Sequence, residues 1–82
     1  MKTSGWDARL TRVVETWDGD RFETLHQARD FVLTQNADLN EWTYAAGKLM
    51  QAAESGTKFD VEFATLAFEH ALLIDGMRLK LG

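Results

Sequence analysis

An α+β fold, with an N-terminal β-hairpin followed by three α-helices, is what this sequence of 82 residues predicts. Three observations carry that expectation. Leu10 to Leu25 holds two short extended runs hinged at Trp17-Asp18-Gly19-Asp20, whereas beyond Thr24 apolar residues recur every three or four positions. Turn and cap residues punctuate the helical part twice, at 35–38 and at Ser55-Gly56. The length suits one domain, since a chain of this size buries only about 60 to 65 % of its unfolded surface and a second core would find nothing to fill it. Residues 1–8 then form a lead-in carrying Trp6, with no assigned packing site.

The first run, Leu10-Thr11-Arg12-Val13-Val14-Glu15-Thr16-Trp17, is rich in β-branched and aromatic residues, and Arg21-Phe22-Glu23-Thr24-Leu25 alternates polar with apolar. Asp18-Gly19 suits a tight turn because glycine accepts a positive φ. A three-residue loop would set Val14 opposite Phe22 and Glu15 opposite Arg21; a two-residue loop would shift that pairing, and the residues alone leave both registers open.

Thr24 and Gln27 have capping-box spacing: the Thr24 hydroxyl accepts from the Gln27 amide while the Gln27 side chain reaches back to the cap. The first helix therefore starts at about Leu25, with Leu25, Ala28, Phe31 and Val32 as its apolar stripe. Asp38 is the expected cap of a second helix over about 39–54, striped by Trp42, Ala45, Ala46, Leu49, Met50 and Ala53. A third helix begins at Phe59 or Asp60 and puts Phe63, Ala64, Ala67, Phe68, Ala71 and Leu72 on one face, with Val61, Leu66, Leu73 and Ile74 widening it. After Asp75-Gly76, the alternation Met77-Arg78-Leu79-Lys80-Leu81 reads as a short third strand or as a tail, so the order is ββααα or ββαααβ.

Composition narrows the function classes. Hydrophobic residues at 45 % and charged residues at 27 % are ordinary for a folded protein, and five Phe, three Trp and one Tyr enlarge what a thin core can bury. Without cysteine there is no disulfide framework and no thiolate for a metal. The start of the chain lacks a signal-peptide apolar region and no run approaches about 20 apolar residues, so a cytoplasmic location without membrane insertion is expected. Net charge is −4, and Arg9, Arg12, Arg21 and Arg29 are interleaved with acids, which argues against nucleic acid as a partner.

The layout resembles the small, mostly alphaproteobacterial family known as domain of unknown function 982. The likeness rests on Trp6, Val13-Val14 before a glycine-containing hairpin, Thr24 with Ala28 and Phe31, Tyr44-Ala45-Ala46 with Leu49 and Ala52-Ala53, Gly56, then Ala64, Ala67-Phe68 and Ala71. Departures are Met50-Gln51, where the family is more cysteine- or arginine-like, and the Met77 to Leu81 tail. The resemblance implies a compact α+β domain; the family carries no assigned activity and no catalytic residues to transfer.

Reactive chemistry is sparse. His26 and Asp30 are four apart on one helix, and His70 would complete a two-histidine, one-carboxylate metal set. Solvated histidines explain the same spacing, so no metal, cofactor or catalytic residue is expected. Asp18 with Asp20 and Asp60 with Glu62 are better read as turn and cap residues than as acid-base pairs. The glycines occur singly, which removes phosphate loops and dinucleotide fingerprints. Aromatic and apolar surplus is the stronger signal. Tyr44 lies about 200° around its helix from Trp42, so both cannot face inward; Trp17 sits in the turn; and Leu66, Leu73 and Ile74 need cover beyond the monomer core. Trp17, Tyr44, Leu66, Leu73 and Ile74 are thus the candidate interaction surface. The expected function is a small accessory or regulatory module that binds a protein partner, with a homodimer as one form of that. The alternative is a small-molecule binder or minor enzyme with a pocket between hairpin and helices, using His26, Asp30 or Tyr44.

Overall fold

The computed structural model describes residues 5–35 and 40–76. A 3₁₀ turn at Gly5–Asp7 precedes β1 (Arg9–Glu15), β2 (Arg21–Thr24), α1 (Leu25–Leu33), α2 (Asn40–Ser55) and α3 (Lys58–Ile74). The order is the expected one, an antiparallel hairpin followed by three helices. The strand or tail expected at 77–81 and the Asp38 cap lie outside the described residues.

The hairpin closes through a three-residue loop. Thr16 N–H donates to the Asp20 carbonyl at 2.9 Å, Gly19 N–H donates to the Thr16 carbonyl at 3.1 Å, and Gly19 has φ 101°, where a side chain would be strained. Val14 therefore pairs with Phe22 and Glu15 with Arg21. The next pair is Arg9 with Thr24, so residues 10–13 of β1 all lie opposite Glu23. This wide bulge turns β1 toward α3: Thr11 N–H donates to Thr65 Oγ1 at 3.1 Å, and the Thr65 hydroxyl in turn donates to the Val61 carbonyl at 2.9 Å. One buried hydroxyl thus satisfies a backbone donor that β2 leaves unpaired. Beside it the Arg12 guanidinium pairs with Glu69.

Strand passes directly into helix at Thr24, which ends β2 and caps α1 in extended geometry, φ −126° and ψ 162°. Its Oγ1 accepts from Gln27 N–H at 3.2 Å. The Gln27 side chain reaches one residue further back than a capping box requires, accepting from Glu23 N–H at 2.6 Å. Leu25 N–H donates to the Ala8 carbonyl at 2.9 Å, which fastens the lead-in to this joint.

The core is built on Phe68. Its ring lies 4.9 Å from that of Phe22, 6.2 Å from Phe31 and 6.4 Å from Trp42, all edge to face. Leu10 and Val14 of β1, Leu25, Ala28 and Val32 of α1, Trp42, Ala45, Leu49 and Ala52 of α2, and Val61, Ala64, Ala67, Ala71 and Leu72 of α3 complete it. The alanines of α2 and α3 let these two helices form the most extensive contact in the molecule.

Three expectations are corrected. Helix α3 starts at Lys58, because Thr57 caps it by accepting from Asp60 N–H at 3.1 Å. On α2 the buried row ends in Ala52, while Met50 is 54 % exposed on the flank of that row. Phe63, read as a core residue, is 43 % exposed because Ala64 and Phe68 occupy the inward side of α3. Trp6 gains a place as well: it packs on the core with the Arg29 guanidinium 4.8 Å above its ring.

Candidate functional site

Helix α3 is apolar on two opposite sides. Its inner side enters the core, and its outer side presents Phe59, Phe63, Leu66, His70 and Leu73, spaced 4-3-4-3, with Ile74 beside the last. That spacing makes a straight seam along the axis, the pattern with which one helix packs against another. The exposure of its members is substantial: Phe59 69 %, Leu66 46 %, Leu73 54 % and Ile74 52 %. Phe59 and Phe63 stack edge to face at 4.8 Å and, with Glu62 and Leu66, line a shallow groove of about 150 Å³.

Charged side chains stand on both flanks of the seam. Toward α2, Lys48 Nζ lies 5.6 Å from the Phe63 ring centre and 5.3 Å from that of Tyr44, so one ammonium joins Tyr44 to the seam. Toward β1 stands Glu62, for which no ion-pair partner exists among the described residues, followed by the Arg12–Glu69 pair. Four of the five residues expected at an interaction surface therefore come together: Leu66, Leu73 and Ile74 in or beside the seam, and exposed Tyr44 at its edge. Trp17, 66 % exposed, belongs to the hairpin loop rather than to this helix face. Phe59 and Phe63 were missed as surface residues. The 4-3-4-3 spacing through Leu66 and Leu73 is the signal that marks them.

Of the reactive-residue candidates, His26 and Asp30 lie side by side on α1. His26 Nε2 lies 3.3 Å from Asp30 Oδ2, one helical turn away, and both side chains are about half exposed. Asp30 also accepts from Arg29 at 3.1 Å. His70 is exposed on the α3 seam, and among the described residues no three His, Cys, Asp or Glu side chains gather in a group that could hold a metal. A groove of about 440 Å³ runs between hairpin and α3, lined by Ala8, Arg9, Thr11, Gly56, Lys58, Val61 and Glu62; His26, Asp30 and Tyr44 are not in it.

The arginines among the described residues are paired: Arg9 with Glu23, Arg12 with Glu69, Arg21 with Glu15 and Glu23, and Arg29 with Asp30. The hydrogen bond from Arg21, reinforced by its charge, holds the Glu23 carboxyl below the usual carboxylate range and raises Arg21 in return. Among the described residues no helix is long and apolar enough to cross a membrane. No family model, curated protein or solved structure matches the chain.

Proposed function

We propose that this chain is a small cytoplasmic accessory or regulatory module that acts by binding another protein through the outer seam of α3. The observation that carries the reading is the two-sided helix. One side of α3 is fully occupied by the core, yet the opposite side repeats an apolar residue at helix-packing spacing and leaves it in water. Scattered exposed apolar residues are normal on small proteins; a row of them along one helix side, interrupted only at His70 and with aromatic residues at one end, is the arrangement that buries well against a partner. Pairing of Arg9, Arg12, Arg21 and Arg29 with carboxylates speaks against an electropositive face built from them for nucleic acid.

Leu66→Glu separates binding from folding, because Leu66 is outside the core and a glutamate there is solvated in the free chain. Baits of wild type and Leu66→Glu, matched for helical circular dichroism, are compared in pull-downs from the source organism, and any partner recovered is then titrated against both purified forms. A loss of affinity of at least about tenfold is expected, since a carboxylate forced into an apolar contact costs over 1.4 kcal/mol. Partners that bind both baits equally contradict the assignment of the seam.

A further inference from the structure

We propose that the occupant of the α3 seam is a second copy of this chain, packed parallel about a two-fold axis running along α3. The proposal rests on the seam being a protein-binding surface and names the partner. A row spaced 4-3-4-3 is self-complementary: two copies side by side set Phe59, Phe63, Leu66, His70 and Leu73 each against its own counterpart in successive layers.

Flanking charge selects the direction. A two-fold axis parallel to the helix places the β1 flank of each copy against the α2 flank of the other. Glu62, without an ion-pair partner among the described residues, then faces Lys48 of the second copy, because Lys48 stands at the level of Phe63, the neighbour of Glu62. Two such pairs form, one on each side of the seam. An antiparallel arrangement instead sets like flanks together, Glu62 against the flank that carries Glu62 and Lys48 against the flank that carries Lys48, so that no Glu62–Lys48 pair forms. The two Glu62–Lys48 pairs that only the parallel arrangement makes favour it.

Size sets the expected strength. From Phe59 to Ile74 the seam is roughly 22 Å long at 1.5 Å per residue, and with Tyr44 and Lys48 at one edge the contact belongs at the small end of specific interfaces. A reversible, concentration-dependent dimer is the consequence. His70 is the polar residue of the row; polar groups in such seams fix register at some loss of strength. His70→Leu is therefore expected to tighten association by about tenfold, the equivalent of about 1.4 kcal/mol.

Absence of cysteine makes the geometry directly testable. Light scattering on a concentration series is expected to show a mass rising above 9.3 kDa toward twice that value, and Leu66→Glu to hold it at 9.3 kDa. Under mild oxidation, Phe59→Cys and Leu73→Cys each form a disulfide with their own kind if the copies are parallel. A crosslink only in the mixture of the two variants means an antiparallel pair and overturns the proposed direction. A constant 9.3 kDa with no crosslink in any variant overturns self-association altogether. If the monomer still captures a partner that Leu66→Glu loses, the binding surface stands and only its occupant was wrong.

Discussion

Replacing Phe68 with alanine is expected to destabilise the fold by about 3–5 kcal/mol, because the deletion leaves a cavity that rigid neighbours cannot close. Phe68 has no exposed surface, and its ring touches one aromatic from every other major layer: Phe22 from the hairpin, Phe31 from α1 and Trp42 from α2. Those three contacts disappear together. A domain of this length has a total stability of about 5–15 kcal/mol, so the variant loses a large part of it and unfolds at much lower urea. Leu66→Ala, two residues away on the opposite side of α3, is expected to change stability by less than about 0.5 kcal/mol in the monomer. Urea titrations followed by circular dichroism compare the two. Similar losses for both variants would mean that α3 is not divided into a core side and a free side.

Gly5→Ala is the second large effect, and it acts through overpacking. A Cβ on Gly5 would lie 1.9 Å from the carbonyl oxygen of Ala53, and that oxygen is held by the backbone of α2. The 3₁₀ turn must lift away, taking Trp6 off the core and loosening the Arg29 guanidinium from its ring. A cost of about 1–3 kcal/mol is expected, together with a red shift of tryptophan emission as the Trp6 indole meets water. The same change at Gly47 has the opposite sign. Gly47 is on the exposed side of α2, with open space where its Cβ would go, so alanine there is expected to stabilise by up to about 1 kcal/mol. A Gly5→Ala protein as stable as wild type, with unchanged emission, contradicts the placement of the lead-in against α2.

Local signals in the sequence were sufficient for the elements whose causes are local. Thr24 and Gln27 mark the strand-to-helix joint because a cap and the amide that it accepts from are three residues apart, and Asp18-Gly19 marks the hairpin loop because φ there must be positive. Thr57 with Asp60 is an equally local signal for the start of α3, obscured by the apolar residues from Phe59 onward. What could not be read depends on contacts between distant segments. The bulge in β1 exists because Thr11 finds Thr65, 54 residues away, and the site of Trp6 exists because Gly5 lets the chain touch α2.

The candidate site was legible in part for a physical reason. On α3 both the row 61, 64, 68 and 71 and the row 59, 63, 66, 70 and 73 satisfy helical spacing, so periodicity alone does not say which row faces inward. Packing decides it. Ala64, Ala67 and Ala71 allow α2 to approach closely, and Thr65 is claimed by β1, which together turn Phe63 outward. Leu66, Leu73 and Ile74 read as surplus because the helix has more apolar residues than one core can use, whereas Phe63 has the spacing of a core residue. Met50 was misplaced on α2 by the same ambiguity between neighbouring rows.

On the proposed reading, the outer side of α3 is where this protein meets another molecule, its own second copy. Backbone amide spectra recorded over a dilution series test it most directly, since each residue reports separately. Concentration-dependent shifts are expected, confined to the residues around Phe59, Phe63, Leu66, His70 and Leu73 and extending to Tyr44 and Lys48, while Phe22, Leu25 and Leu49 stay fixed. Spectra that do not change with concentration, or changes centred on another surface such as the α1 side near Leu33, contradict it.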